Sequence, residues 1–371
     1  MNPIWYDNTE TGAPVVNDVA GSVISMLKAV FETGFNVKSI SSISVSGEVA
    51  AVTCPGHGYS GTYGKWLKIS GASVPSLNGV KQQTIVDANT FTFPAPGVAD
   101  GSYTATDARR APLGWTEEFS DGAGTKAIFK RSDPAATVSM LRVVDTKASP
   151  ASPTYCISTM VEAATGIDAV TNEVPTVAAE QLWMRGANNS TAKKWVVCGS
   201  GRRVWVLLQP SGANANPVPY LFGDPQPLYP GDSGGCVLTA YGTTVATSAG
   251  GIAIVAPGSF APSAGFPYLT FQRSRAGALD HKFRLSGGGG WGNGLYTAGS
   301  DAVVPVFGDV YVTNAAEVRA RLPELFLPQS NVPFTDLQVY DVGARKLLAV
   351  SIAISNTGIG QMMLDLSSDW D

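Results

Sequence analysis

The chain has 371 residues, of which 44% are hydrophobic and only 15% are charged, and its formal net charge is −4. This length allows two or three domains, or one large β-rich domain with an insertion, and the apolar residues can fill a sizeable core. The sequence has no basic stripe and no apolar run long enough to span a bilayer, which argues against nucleic acid and membrane as partners. The N-terminus has neither the basic start nor the apolar stretch of a signal peptide, so none is expected.

The composition favours short strands joined by tight turns, because 41 glycines and 24 prolines are spread along the chain. The low charge is also typical of a subunit that neighbours cover, since interface cores exclude charged residues. The four cysteines are far apart and there are only two histidines, so no zinc-site spacing occurs. We therefore expect four buried thiols at Cys54, Cys156, Cys198 and Cys236, and neither a metal nor a cofactor.

The clearest helix is predicted for residues 21–33. Its apolar side chains recur every three or four residues and fall on one face. They are Val23, Ile24, Leu27, Val30 and Phe31. Gly34 follows and fits a C-terminal cap. We expect this face to pack against a sheet.

Residues 42–107 have a different pattern, with strands of five to seven residues separated by turns. Phe91 and Phe93 fall on one face of one of these strands. The segment predicts a small all-β module of the sandwich or barrel type, inserted into a discontinuous β-rich main domain made of residues 1–41 and 108–371.

The main domain is predicted to be mainly β. Residues 114–146 are typical of a β-meander with a turn at Asp133-Pro134. Two apolar runs around Ser200-Gly201 predict a hairpin. A second, shorter helix is predicted over residues 314–322, because Asn314 and Glu317 have capping-box spacing.

Residues 231–235 read Gly-Asp-Ser-Gly-Gly, the sequence that surrounds the nucleophile of trypsin-like proteases. Ser233 would need a base to take its proton and a carboxylate to orient that base. His57 lies inside the small β module, and His281 follows the serine, which reverses that family's order. We interpret the stretch as a structural turn and keep a serine hydrolase as a remote alternative. His57 is expected to satisfy a backbone group in a turn.

Two further groups of residues could form a binding surface. The acidic residues 117, 118 and 121 lie near aromatic side chains, a combination found in glycan chemistry, although a solvated loop is the preferred interpretation. Four tryptophans could line an interface or a sugar-binding surface, or pack in the core. These are Trp183, Trp195, Trp205 and Trp291.

Several short segments carry a resemblance to a known family. They include a turn, helix and Gly-Phe exit in residues 11–40, a Gly-Trp and aromatic-Lys/Arg pattern in 114–131, and Ser-Met-Leu-Arg-Val-Val-Asp-Thr in 139–146. The hairpin of residues 195–209 and the degenerate motifs at 318–328 and 364–371 extend the match. Together they resemble a family of virion structural proteins of tailed bacteriophages. Val144 and Ser200 stand where that family usually has aspartate.

The inserted module is similar to one seen in many phage structural proteins, by the segments 55–60, 66–80 and 86–93. The resemblance implies a multi-copy virion component of the neck, tail or capsid surface, without a catalytic residue. Its partners would be further copies of itself and other virion proteins. The alternative is a tail appendage that binds a receptor or a host-surface glycan.

Overall fold

The computed structural model describes residues 3–146, 155–175, 182–186, 190–210, 216–232, 235–239, 269–286, 306–307, 310–313, 317–328, 334–353 and 359–370. The chain is mainly β, as predicted, and its strands form several separate antiparallel sheets. Within the described residues, no helix is both long and apolar enough to cross a membrane.

The predicted N-terminal helix is present, but its last turn widens. After β1 (Ile4–Asp7), α1 (Ser22–Lys28) is α-helical and Ala29–Thr33 continues it as a π-helical turn. Its apolar face is buried, as the spacing predicts. Gly34 ends the helix with φ 73° and ψ 175°. A Cβ at Gly34 would clash with the Arg110 carbonyl oxygen, so only glycine fits here.

Residues 35–110 form two small sheets around a core of their own. The strands are β2 (Phe35–Ser39), β3 (Ser42–Ser46), β4 (Val49–Thr53), β5 (Leu67–Ser70), β6 (Gly79–Lys81), β7 (Thr84–Ile85), β8 (Thr90–Pro94), β9 (Gly101–Tyr103) and β10 (Asp107–Arg110). The sheet orders are β2-β10-β5-β6 and β7-β8-β4-β3-β9. Phe91 and Phe93 are both buried, as predicted. Since β2 and β10 join this module, one of its sheets includes residues on both sides of the predicted boundaries.

The predicted meander forms the next sheet. Its elements and their neighbours are β11 (Thr116–Ser120), β12 (Lys126–Lys130), β13 (Met140–Val144), β14 (Tyr155–Val161), β15 (Ala163–Gly166), β16 (Ala169–Thr171) and β17 (Leu182–Met184). The order is β11-β12-β13-β14-β17, while β15 and β16 make a separate hairpin. Asp133 stabilises the predicted turn, because its carboxylate accepts the Ala135 N–H at 2.8 Å.

The remaining strands form a ten-stranded sheet and a C-terminal sheet. They are β18 (Trp195–Gly199), β19 (Arg203–Leu208), β20 (Val218–Gly223), β21 (Gln226–Pro227), β22 (Val237–Thr239), β23 (Leu269–Arg273), β24 (Leu279–Ser286), β25 (Val306–Phe307), β26 (Val310–Thr313), β27 (Val318–Leu322), β28 (Leu325–Pro328), β29 (Val339–Val342), β30 (Arg345–Ala353) and β31 (Ile359–Asp365). The large sheet has the order β1-β18-β19-β20-β22-β23-β24-β26-β27-β21, and the C-terminal sheet β25-β28-β31-β30-β29.

The large sheet is the middle layer of the main domain. On β19, Val204 and Val206 face the cluster that contains α1 and the meander, whereas Trp205 and Leu207 face the cluster that contains the C-terminal sheet. A strand buried on both faces needs apolar residues at every position. This explains why the runs that flank Ser200-Gly201 are continuously hydrophobic, and the predicted hairpin between them is present.

The predicted second helix is wrong. Residues 318–322 form β27, which pairs with β26 on one side and with β21 on the other. Val318 at its start is 41% exposed, whereas Arg319, Ala320 and Leu322 are buried. Pairing on two sides outweighs a local capping pattern. Asn314, the predicted cap, lies outside the described residues.

A buried ionic cluster joins the N-terminal strand to the β module. Lys65 Nζ lies 2.7 Å from Asp7 Oδ2 and 2.5 Å from Glu10 Oε1, and Arg110 pairs with the other oxygen of Glu10. All four side chains are at most 6% exposed. Burial alone would raise the pKa of Asp7, but the charge and hydrogen bond of Lys65, together with the hydrogen bonds from Thr9, lower this pKa below its ordinary value.

Candidate functional site

Three of the four tryptophans that the sequence singled out lie in the core. Trp183, Trp195 and Trp205 are each at most 1% exposed. Their indole N–H groups donate, in that order, to the Thr239 carbonyl at 3.0 Å, the Pro14 carbonyl at 2.9 Å and the Glu324 carboxylate at 3.1 Å. A glycan or partner could not reach these rings, so they pack within the chain, while Trp291 lies outside the described residues.

Of the two histidines, only His57 has a side chain that the structure describes. His57 is buried, and its Nδ1 accepts the Tyr59 N–H at 2.9 Å while its Nε2 lies 3.0 Å from the Asp87 carbonyl oxygen. The ring therefore satisfies backbone groups in a turn, as predicted. Ser233 and the side chain of His281 lie outside the described residues, so the hydrolase alternative stays a prediction.

The prediction of a solvated loop for the acidic residues near Trp115 is wrong for Glu117 and Glu118, which lie on a strand, whereas Asp121 lies in a turn. Glu117 and Glu118 lie on the edge strand β11, whose pairing is irregular between Glu117 and Phe119, and Glu117 is half-buried whereas Glu118 is exposed. Glu117 pairs with Lys28 at 2.9 Å. Asp121 accepts the backbone N–H of Thr125 at 2.7 Å and so stabilises a tight turn. These carboxylates do not form a pair that could act on one substrate.

The four cysteines are buried and carry free thiols, as predicted. Burial raises the pKa of Cys236 to about 12 and that of Cys156 and Cys198 well above the ordinary value. Because the thiolate is the nucleophile and the metal ligand, these groups are unreactive at neutral pH.

A groove of about 840 Å³ opens beside the Gly-Asp-Ser-Gly-Gly stretch. Four segments form most of its described walls: the loop 135–139, the hairpin turn 202–203, the segment 224–232 and the β23–β24 hairpin 272–277. Glu162, Gly235 and Trp370 complete the described lining. This volume falls in the range of small-molecule sites, about 300–1,000 Å³. The groove is therefore large enough for a ligand, and three of its lining residues belong to the glycine-rich stretch: Gly231, Asp232 and Gly235.

Every charged side chain that lines the groove has an oppositely charged partner. The pairs are Arg202–Asp133 at 2.8 Å, Arg203–Glu324 at 3.1 Å, Arg273–Glu162 at 2.5 Å, Arg275–Glu317 at 3.2 Å, Asp224–Arg131 at 2.5 Å and Asp232–Arg319 at 2.7 Å. Hydrogen bonds from Arg273 hold the pKa of Glu162 below its usual range, so this pair stays ionised at neutral pH. The groove thus combines many polar groups with little net charge.

Gln272 provides an unused acceptor on the groove wall. Its side chain is 1% exposed, and its Nε2 donates to the Asn172 carbonyl at 2.6 Å. Its Oε1 is buried and accepts no hydrogen bond from any described residue. A buried polar atom without a partner costs about 1–3 kcal/mol, so a donor that entered the groove at this point would be favoured.

Tyr229 is an aromatic side chain on the groove wall. The Arg275 guanidinium lies 3.8 Å from the centre of the Tyr229 ring and makes a cation–π contact with it. Tyr229 also lines a shallower depression of about 340 Å³ formed by residues 227–232. The ring therefore stands between two concave surfaces and can offer an apolar contact beside polar groups.

Sequence reasoning missed this groove, because its walls come from segments far apart along the chain, from Ala135 to Trp370, that only the tertiary structure brings together. One signal was available. In a chain with 15% charged residues, Arg202-Arg203 and Arg273-Ser-Arg275 are local concentrations of guanidinium groups that flank buried strands.

No protein-family model matches the chain, and no curated protein sequence matches it. The phage resemblance rests on its short sequence motifs.

Proposed function

We propose that this protein is a structural component of a tailed-bacteriophage virion, present in many copies at the neck, tail or capsid surface. It acts through contacts with further copies of itself and with other virion proteins. The family resemblance supports the phage assignment. The low charge supports an extensive protein–protein contact, because charged residues are depleted at interface cores.

The observation that carries the proposal is a group of exposed valines, which we call the valine seam: Val15, Val19, Val37 and Val86. Each is between 54% and 60% exposed. Val15 and Val19 lie in the segment before α1, Val37 lies on β2, and Val86 follows β7. Large apolar side chains grouped on a surface mark contact sites more often than singly scattered ones.

The segments of the valine seam touch one another. A Cβ at Gly12 would lie 3.1 Å from the Asn36 side chain, and Asn36 Nδ2 donates to the His57 carbonyl at 2.9 Å. His57 in turn donates its N–H to the Ala88 carbonyl at 3.3 Å. These contacts connect the loop before α1, β2 and the turn after β7, and we propose that the exposed valines of these segments meet one partner surface.

The test is the mass of the purified chain by light scattering over a concentration series. We expect a discrete oligomer, since closed symmetry is usual for repeated subunits. The double variant Val15→Asp/Val37→Asp should shift the mass toward the monomer, because charge in an apolar contact is disfavoured. Val342→Asp is the matched control, as Val342 is 44% exposed on β29. A wild-type monomer at every concentration would contradict the proposal.

A further inference from the structure

We propose that the groove beside residues 231–235 binds a neutral saccharide. The inference is independent of the subunit contact proposed above, because none of the four valines lines the groove. It also differs from the surface suggested by the sequence, which would have used Trp183, Trp195 and Trp205, all of which are buried.

The charges in the groove decide the charge of the ligand. The seven lining ionic groups are all engaged in pairs, most of them at 2.5–2.8 Å. An anion or a cation would have to compete with a partner already in place. A neutral ligand can instead use the N–H groups that Arg273 and Arg275 do not spend on their partners, since a guanidinium has five donors.

The mixture of donors and acceptors points to hydroxyl groups. The unused Gln272 Oε1 requires a donor, whereas Arg273 and Arg275, at 33% and 48% side-chain exposure, offer donors that require an acceptor. A hydroxyl both donates and accepts, so a ligand with several hydroxyls can satisfy all three at once. The Tyr229 ring adds an apolar surface for the C–H face of a sugar ring.

A peptide fits the groove less well. Extended peptides commonly bind by adding a strand to a free sheet edge. β23 pairs on both sides, with β22 and β24, and the edge strand at this groove, β21, has only two residues, of which Pro227 has no N–H to donate. Recognition must therefore use side chains, and here these are planar polar groups beside an aromatic ring.

The experiment uses the full chain, fluorescently labelled, on an array of neutral oligosaccharides that covers the common hexoses and N-acetylhexosamines. The best binder is then titrated by calorimetry. We expect Tyr229→Ala and Arg275→Ala each to weaken its affinity by about tenfold or more. Gln272→Leu should weaken it as well by removing the buried acceptor, and thermal unfolding checks that each variant folds.

Arg345→Ala is the matched control. Arg345 is also paired with a carboxylate, lies 5.1 Å from the Phe326 ring centre and is 49% exposed, but it belongs to the C-terminal sheet. It should bind the saccharide as the wild type does. The proposal is overturned if no neutral saccharide binds, if the Tyr229 and Arg275 variants bind normally, or if a peptide array gives the groove-dependent signal instead. Light scattering separates this result from the oligomer proposal, because the groove variants should keep the wild-type mass.

Discussion

Lys65 and Lys346 show how burial changes what an ion pair contributes. The Lys65 side chain is 6% exposed and faces two buried carboxylates, whereas Lys346 and its partner Asp341 are 39% and 76% exposed. Water screens the Lys346–Asp341 pair and competes for its charges, so this pair adds little to the stability of the fold. In the first pair, the removal of either partner leaves charge in a medium that cannot solvate it.

We therefore expect Lys65→Met to lower the free energy of unfolding by about 3–5 kcal/mol, because it leaves Asp7 and Glu10 buried without their ammonium partner. Urea unfolding followed by circular dichroism measures the change. Lys346→Met, the exposed counterpart, should unfold close to the wild type. Equal effects of the two substitutions would show that Lys65 is not buried as described.

The buried ionic cluster around Lys65 also predicts that the free energy of unfolding depends on pH. The folded-state pKa of Asp7 is lowered, so its contribution is present above the unfolded pKa of about 3.9 and is lost as the pH falls through the lower folded value. Urea midpoints measured between neutral pH and pH about 3 should decline at the acid end. The Asp7→Asn variant should decline less steeply over that window, and a parallel decline would argue against the assignment.

At the scale of the element, the exit of α1 depends on one glycine. Gly34 combines φ 73° with ψ 175°, a region that is essentially restricted to glycine. It also lies against the backbone of β10, since a Cβ would meet the Arg110 carbonyl oxygen. The chain can pass from the helix into β2 only because both constraints are met by the absence of a side chain.

Gly34→Ala should therefore cost more stability than an alanine at an open glycine. Gly343 has φ 60° in the β29–β30 turn, and a Cβ added there would have nothing within 4 Å, so Gly343→Ala should cost about 1–2 kcal/mol. Thermal unfolding of the two variants compares them. If Gly343→Ala proved the more damaging, the close approach of β10 to the helix exit would be wrong.

At the scale of the whole molecule, the three layers of the main domain and the β module bury the aromatic residues thoroughly. The seven tryptophans that the structure describes are at most 6% exposed. Trp5, Trp205 and Trp370 belong to the cluster beneath the C-terminal sheet, and Trp115, Trp183 and Trp195 to the cluster beside α1. Burial of this kind keeps charged solutes away from the indole rings.

Iodide quenching of tryptophan fluorescence tests this packing. In the Trp291→Phe variant, which retains the seven described tryptophans, we expect weak quenching in buffer and severalfold stronger quenching in concentrated urea, because unfolding exposes the rings. Strong quenching of the folded protein would contradict the layered arrangement. The intact protein serves as the comparison, and any difference between the two reports Trp291 alone.

The class of the fold, α1, the meander and the hairpin at Ser200-Gly201 could all be predicted from the sequence. Each depends on periodicity or turn chemistry within a few residues, which local physics enforces. The role of His57 was accessible in part for the same reason, because its Nδ1 accepts the N–H of Tyr59 two residues on, whereas the Asp87 carbonyl near its Nε2 is 30 residues away.

The strand at 318–322, the burial of the tryptophans and the groove depended on tertiary structure. A capping pattern is worth about 1 kcal/mol, which pairing with β26 and β21 exceeds. An apolar run can lie in a core or on a surface. The tryptophans are buried because the large sheet lies between two layers that cover both of its faces. The groove exists because the strand order brings together segments that are distant along the chain, and no local interaction encodes that order.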